Sequence, residues 1–221
     1  MEDINVSKAQ DLFNIKKNQL KLVQRRGYDI SKEQNILDSD AESFLDAYIP
    51  FALKNHKTLR GVMSQLYTKD DGTKLYVYFS DPVKTKKYLG ITNIGILVQK
   101  MDSYKCRNAI IITSLPVSPS AKKKLQELLT YNVDVFLESE MAYDPTEHYL
   151  TPKHRLLTTE QQRNFLAKNK IDLEQIPIML TSDMISRYYG YRPGQVIEIT
   201  RINLYDTMIQ DSLSYRCIRD E

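Results

Sequence analysis

Three histidines, two cysteines and a pair of glutamates are the residues whose chemistry can be tested against their spacing. His56, His148 and His154 include no pair at the i, i+4 spacing of a helical metal site, and no Cys-x-x-Cys sequence accompanies them. The two cysteines, Cys106 and Cys217, lie far apart in sequence and make neither a disulfide framework nor a metal-ligand set. We therefore expect surface or hydrogen-bonding histidines, structural thiols, and neither a metal nor a cofactor.

The two glutamates, Glu138 and Glu140, follow an apolar run that predicts a strand. Carboxylates in this position are typical of a metal-dependent nuclease, which binds its cations with them. The alternative is a solvated pair on an exposed strand face, and no lysine follows at the short spacing that such nucleases favour. The sequence also lacks a glycine-rich phosphate loop, a nucleophile-elbow serine and a dinucleotide fingerprint. We predict a non-catalytic protein, with a metal-dependent nuclease or DNA-modifying α/β enzyme as the alternative.

Two lysine runs are candidates for contact with DNA phosphates, although solvated helix faces explain them equally well. The net charge of +3 is spread evenly, with 21 basic against 19 acidic residues before residue 151 and 10 against 9 from there on. Because neither part is strongly basic, we expect DNA contact only within a larger assembly. The candidate residues are Lys84, Lys86, Lys87, Lys122, Lys123 and Lys124.

An aromatic cluster interleaved with arginine is the most distinctive feature of the C-terminal part. Arg187 precedes Tyr188 and Tyr189, and Arg192 follows Tyr191. This composition is typical of a protein interface or of a platform on which bases stack. A structural role for one or two of the tyrosines is the simpler alternative, since neighbours on a helix point about 100° apart.

The elements that carry these residues begin with an alternation of helices and strands. The apolar spacing predicts helices at 6–26, 40–49, 94–104 and 118–129, and strands at 75–79, 108–113 and 133–137, with 28–38 as a connector. Strand, helix and strand in series at this length form a crossover with parallel strands. The continuous apolar run at 110–112 suits a strand covered on both faces. An α/β layer domain is predicted.

The apolar periodicity lapses between residues 144 and 152, and we place a domain boundary there, giving domains 1–145 and 146–221. Beyond it, Thr159 and Gln162 resemble a capping box that opens a helix. Asp183 is the predicted cap of a short helix that Gly190 ends, and 192–195 reads as a type II turn. Predicted strands at 178–180, 196–200 and 213–217 complete a small mixed α+β domain.

The overall composition is that of an ordinary folded chain. It has 221 residues, of which 42% are hydrophobic and 27% charged. The longest apolar runs, such as 109–112, are far shorter than the roughly 18 residues that cross a bilayer. The first five residues have neither the basic nor the apolar region of a secretory signal, so we expect no membrane span and a reducing compartment.

Several motifs in the C-terminal part, in this order and spacing, resemble one family. They are Thr-Pro-Lys-His-Arg-Leu-Leu at 151–157, Ile-Pro at 176–177, Ser-Arg-Tyr-Tyr-Gly at 186–190 and Arg-Pro-Gly-Gln-Val-Ile-Glu-Ile at 192–199. The chain resembles the fifth subunit shared by eukaryotic nuclear RNA polymerases, and its C-terminal part resembles the archaeal polymerase subunit that consists of this part alone. Shorter matches at 26–28, 77–79, 119–121 and 146–148 extend the resemblance over nearly the whole chain.

Two departures from the family pattern concern the C-terminal part. Met184 follows Asp183 where the family usually has proline, which leaves the cap possible. The link 201–212 differs from the family's Arg-x-Ser-Glu-Thr-x-Gly-Arg-Tyr type, so the resemblance implies no contact through that loop. Arg201, Tyr215 and Arg216 still match.

The resemblance implies a non-catalytic subunit of a DNA-directed RNA polymerase, with an N-terminal jaw domain near downstream DNA and a C-terminal assembly domain docked on the largest subunit. It implies a nuclear location in a cell, or a virion or infected-cell cytoplasm for a homologue from a large DNA virus. A free-standing adaptor is a weaker alternative. The residues expected to bind the partner are Lys153, His154, Arg187, Tyr188, Tyr189, Arg192, Gln195, Arg201 and Arg216.

Overall fold

The computed structural model describes residues 6–82, 87–201 and 212–220. The chain divides between Tyr143 and Asp144 into two compact units. That the second unit folds on its own is a prediction. None of the described helices is long and apolar enough to cross a membrane.

The first unit is an α/β layer built on a sheet with the strand order β1-β2-β3-β4. β2, β3 and β4 run parallel, and β1 pairs antiparallel with β2. The predicted parallel α/β arrangement is therefore confirmed. Its elements are α1 (Val6–Arg25), a 3₁₀ turn (Ser31–Glu33), α2 (Asn35–Asp38), α3 (Ala41–Lys54), α4 (Leu59–Met63), β1 (Gln65–Thr68), β2 (Lys74–Phe79), α5 (Ile91–Tyr104), β3 (Asn108–Thr113), α6 (Pro119–Glu127) and β4 (Asn132–Leu137).

The central strand β3 is covered on both faces, as its continuous apolar run predicts. Ile110, Ile111 and Ile112 are each 0% exposed. Ile111 packs in a cluster with apolar residues of α5 and with Ala121 of α6. Ser118 caps α6 by accepting a hydrogen bond from Ala121 N at 3.2 Å, which sets where the crossover helix begins.

The second unit is a small mixed α+β layer with the strand order β5-β7-β8-β6. β7 pairs antiparallel with β5 and β8, whereas β6 runs parallel to β8. Its elements are β5 (Lys153–Leu156), α7 (Thr159–Asn169), a 3₁₀ turn (Leu173–Gln175), β6 (Ile178–Leu180), α8 (Met184–Tyr189), β7 (Val196–Arg201) and β8 (Ser212–Arg219).

Different helices cover the two faces of this second sheet, because successive residues of β7 point to opposite sides. Val196 packs on one side with Phe165 and neighbouring apolar residues of α7. Ile197 and Ile199 pack on the other side with Tyr189 of α8. We call the side that carries Ile197 and Ile199 the α8 face.

Some boundaries differ from the predictions. The capping box of α7 is formed by Thr158 with Gln161, one residue before the predicted pair Thr159 and Gln162. Leu157 N bonds to the β7 backbone, so the chain leaves the sheet at Leu157 and Thr158 becomes the cap. Gln162 instead donates to Gly194 O at 3.0 Å and accepts from Val196 N at 3.2 Å, which ties α7 to the turn before β7.

Other elements of the first and second units were not predicted. α3 continues through Pro50, where a stop was predicted. Residues on both sides of that proline, Phe44 and Ala52, are buried, and their packing outweighs the missing N–H. The predicted connector 28–38 contains a 3₁₀ turn and α2. β1, α4 and β5 had no sequence prediction.

Candidate docking surface

Two local structures hold the predicted partner-binding residues in place. Asp183 caps α8 by accepting hydrogen bonds from Ile185 N at 2.8 Å and Ser186 N at 3.4 Å. Gly190 ends α8 with a φ of 70°, and Gly194 has a φ of 82° in the following turn, conformations that favour glycine. The two glycines allow the chain to turn tightly between the short helix α8 and β7.

Gln195 closes this turn with its own side chain. Its Oε1 accepts a hydrogen bond from Arg192 N at 2.7 Å, and its backbone N–H donates to Arg192 O at 3.2 Å. The amide thus shapes the turn that presents Arg192. We infer that Gln195 contributes to the predicted surface by positioning rather than by reaching outward.

Tyr188 is buried within this chain, which argues against its prediction as a residue of the docking surface. It is 0% exposed, and its hydroxyl donates to Asp144 Oδ2 at 3.1 Å. Asp144 also accepts from Thr146 N at 2.9 Å. Because neighbouring helical residues point about 100° apart, the two tyrosines have different surroundings. Tyr189 packs against Ile197 and Ile199 of the sheet, whereas Tyr188 bonds to Asp144.

The two other tyrosines of this cluster, Tyr189 and Tyr191, stack on each other. Their rings stack with centroids 5.3 Å apart, and Tyr191 is only 5% exposed. Burial raises the pKa of Tyr191, so its phenol stays protonated. Tyr189 is half-buried and is therefore the tyrosine of this group that keeps an accessible part.

Two arginines lie in and just after α8, and a histidine and a third arginine lie on the strands of the α8 face. Arg187 and Arg192 are half-buried, and Arg187 donates to Met184 Sδ at 3.5 Å. The register pairs His154 with Ile199 and Arg216 with Ile197, which places both on the α8 face. The structure thus brings three segments that are far apart in sequence to one face.

The His154 side chain is half-buried in the α8 face. Its Nδ1 lies 2.8 Å from Pro152 O. Burial lowers the pKa of His154, which favours the neutral ring at neutral pH. Arg201, by contrast, is exposed and donates to Ser214 Oγ at 3.4 Å. Lys153 is exposed and pairs with Thr200, so it lies on the opposite side of the sheet from His154.

A groove of about 380 Å³ runs along the edge of this sheet. It begins at the cap of α8 and includes Arg216, one of the predicted residues. Its apolar edge residues Ile178 and Leu180 were not predicted as site residues, because an apolar strand in sequence normally indicates core. The lining consists of Ile178, Met179, Leu180, Ser182, Asp183, Ile199 and Arg216.

The predicted DNA-proximal lysines lie in the first unit. Lys122, Lys123 and Lys124 are exposed on α6, and Lys124 Nζ lies 3.6 Å from Glu127 Oε2. Lys87 is exposed as well. Lys84 and Lys86 lie outside the described residues. The geometry suits a solvated helix face and a phosphate contact equally, so DNA contact stays a prediction.

The glutamates of the nuclease alternative are engaged within the first unit. Glu138 receives two hydrogen bonds from the Arg60 guanidinium, at 2.9 and 3.1 Å. Glu140 Oε2 accepts from Leu137 N at 2.8 Å. No group of three metal-ligating side chains occurs among the residues that the structure describes. Glu138 and Glu140 are therefore structural carboxylates.

A buried polar cluster in the first unit escaped the sequence analysis. Lys16 of α1 is 0% exposed, and its Nζ lies 2.9 Å from Glu33 Oε1. Tyr48 donates to Glu33 Oε1 at 2.6 Å, Tyr67 donates to Glu33 Oε2, and Lys16 donates to Met63 O at 3.2 Å. We call Lys16, Glu33, Tyr48 and Tyr67 the buried polar cluster. A lysine on a helix with many lysines gives no signal that it is the buried one.

The fold and this surface define a class of protein: a chain of two α/β-type units whose best-formed candidate site is an arginine- and tyrosine-bearing face. Comparison with known proteins narrows that class. The sequence model described as "RNA polymerase Rpb5, C-terminal domain" matches residues 143–218.

Relatives match along most of the chain. The RPABC1 subunit of DNA-directed RNA polymerases I, II and III from Caenorhabditis briggsae is 31% identical, covering 86% of this chain and 88% of its own. The corresponding Dictyostelium discoideum subunit is 32% identical over 91% and 92%. A subunit 5-like protein of Arabidopsis thaliana is 26% identical over 93% and 94%. The chain belongs to the RNA polymerase Rpb5 family, as its motifs indicate.

Proposed function

We propose that this chain is a non-catalytic subunit of a nuclear multisubunit DNA-directed RNA polymerase and docks through its second unit on the largest subunit. The observation that carries the proposal is the match along 86% of the chain to proteins named as polymerase subunits. Their eukaryotic sources support a nuclear location, and no relative reported above supports a viral one. The nuclease alternative has no support, since its glutamates are engaged with Arg60 and the backbone.

The α8 face supports the docking half of this proposal. Arginine and tyrosine are enriched where interfaces bury most area, because each combines a large contact surface with hydrogen bonding. Arg187, Tyr189 and Arg192 are half-buried around a rigid helix and turn, while Arg201 on the same face is exposed. Side chains held this way lose little freedom when a partner covers them.

The first unit supports a weaker contribution to DNA contact. Residues 1–143 carry 21 basic and 17 acidic residues, a small net charge that leaves little attraction for DNA in isolation. Exposed lysines on α6 can approach phosphates when the assembled enzyme holds DNA nearby. We therefore propose a jaw that contacts downstream DNA only within the complex.

Affinity purification of the tagged chain from its native cells tests the proposal. Quantitative mass spectrometry is expected to find it at one copy per largest subunit. The Arg187→Ala, Arg192→Ala double variant should lower the recovered polymerase, because losing buried interfacial charges costs roughly 2 kcal/mol or more. A variant with Arg163→Ala on α7, on the other side of the sheet, is the matched control.

Folding is checked by circular dichroism melting, because Arg187 bonds to Met184 and the Arg192 backbone bonds to Gln195. Arg201→Glu is a second variant, chosen because Arg201 is exposed and its replacement leaves the packing of the core intact. Recovery of the tagged chain without a polymerase would refute subunit function. Normal recovery of both variants would refute the docking face.

A further inference from the structure

β6 is an apolar strand at the outer edge of the second sheet, and its three residues carry no charge that would discourage pairing with another strand. β6 pairs with β8, and no other described strand pairs with it. Natural edge strands usually carry lysine, other charges or bulges that discourage further pairing. β6 instead presents Ile178 at 52% exposure and Leu180 at 41%. Apolar residues exposed along a free edge mark a place where another chain can bind.

Backbone hydrogen bonds show which groups of β6 point outward. The bonds to β8 run from Cys217 N to Pro177 O and from Thr181 N to Arg219 O, each 2.9 Å long. Because backbone groups alternate in direction along a strand, Ile178 and Leu180 direct theirs to the open edge. Leu180 O accepts from Asp183 N at 3.1 Å. Within the described chain, the Ile178 N–H, the Ile178 C=O and the Leu180 N–H remain available to an added strand.

The groove beside this edge carries a positive charge suited to an anion. Arg216 lines it, is half-buried, and has no carboxylate partner among the described residues. The groove's own carboxylate, Asp183, is occupied in capping α8. Arg201 lies on the same face and bonds to the Ser214 hydroxyl rather than to a carboxylate. A guanidinium in a partly dry groove binds a carboxylate with two parallel hydrogen bonds.

We propose that the β6 edge binds an extended, acidic and apolar segment of another polymerase subunit by strand addition. The segment pairs with the free backbone groups of Ile178 and Leu180, packs apolar side chains against theirs, and places a carboxylate on Arg216. The charge of the groove and the exposed apolar edge select this occupant over a basic or wholly polar one. The inference rests on the proposed function, because it names a partner within the same complex.

Site-specific cross-linking in the full-length chain tests this inference. A photoreactive benzoylphenylalanine at position 178 should cross-link to a polymerase subunit, and mass spectrometry of the cross-linked peptide should show an acidic, apolar sequence. Ile178→Asp and Arg216→Glu should each lower polymerase recovery about tenfold or more. The matched controls are Leu213→Asp, at a leucine that is 53% exposed on β8, and Arg163→Glu on α7. The melting temperature of each variant separates lost binding from lost folding.

Three outcomes overturn the inference and can be told apart. If the wild-type chain recovers no polymerase, the proposed function fails and this inference fails with it. If polymerase is recovered equally by folded Ile178→Asp, Arg216→Glu and control variants, the function stands and the β6 edge is not used. A cross-link from position 178 to a second copy of this chain, or to a basic segment, shows a different occupant.

Discussion

Breaking the buried polar cluster is the perturbation with the largest expected effect on stability. Glu33→Gln removes the charge that faces Lys16, whose side chain is 0% exposed. Leaving one member of a buried ion pair without its partner costs about 3–5 kcal/mol. At about 2–4 °C for each kcal/mol in a chain of this size, the melting temperature should fall by about 6–20 °C. The cost is large because Lys16 can reach no water to compensate.

A double-mutant cycle separates the energy of the Lys16–Glu33 interaction from the effect of replacing each residue alone. Lys16→Met together with Glu33→Gln removes both charges, so no buried ion is left alone, and the double variant should be more stable than Glu33→Gln by at least about 1 kcal/mol. Urea unfolding followed by circular dichroism measures each free energy of unfolding. Glu42→Gln, at an exposed carboxylate of α3, is the matched control and should change stability by less than about 0.5 kcal/mol.

The same cluster predicts a dependence on pH. Burial raises the pKa of Glu33, but Lys16 and the two tyrosine hydroxyls outweigh burial and hold that pKa below its ordinary value of 4.5. A carboxyl with a lowered folded pKa contributes stability that is fully present above the unfolded value and is lost as the pH falls through the folded one. Wild type should therefore lose stability below about pH 5 more steeply than Glu33→Gln. Parallel acid profiles, or a Glu33→Gln cost below about 1 kcal/mol, would refute this reasoning.

Three further predictions concern the second unit. Tyr188→Phe should destabilise the chain by about 1 kcal/mol, because the hydrogen bond to Asp144 is lost. Polymerase recovery in the same purification should stay unchanged. Lost recovery by a folded variant would show that Tyr188 takes part in the interface. Thr158→Ala should cost about 1 kcal/mol in urea unfolding and Thr159→Ala much less, and the reverse order would contradict the observed cap. The fragment 144–221 should show a cooperative melt on its own, because its caps, turn and strands are internal to it, and a featureless melt would count against independent folding.

The parallel core and the short C-terminal helix were predictable because their signals are local. The apolar run at 110–112 indicates burial on both faces without knowledge of any partner. Ser118 before a proline, and Asp183 with Gly190, mark helix ends through bonds made within a few residues. Such signals survive folding unchanged, which is why these elements lie where the sequence places them.

Other features depend on contacts between distant segments. β5 reads Lys-His-Arg-Leu, and it becomes a strand only because β7 offers it an edge. Lys16 and Glu33 are 17 residues apart and come together through the packing of α1 on the 3₁₀ turn. The sequence around Tyr188 and Tyr189 does not indicate how deeply each ring is buried, because residues distant in the chain, such as Asp144, decide it. For that reason the sequence predicted Tyr188 as a docking residue, although the structure buries it.

The hydrogen bonds of Gln162 allow α7, which lies on the opposite side of the sheet from α8, to report binding at the turn that carries Arg192. Its side chain bridges α7 to Gly194 and Val196, so opening the first turns of α7 also releases the turn that presents Arg192. A partner that immobilises this turn should therefore slow amide hydrogen exchange at the start of α7, although it never contacts that helix. Binding of a partner at the Arg192 turn is therefore measurable by hydrogen exchange in α7, without a label at the binding surface.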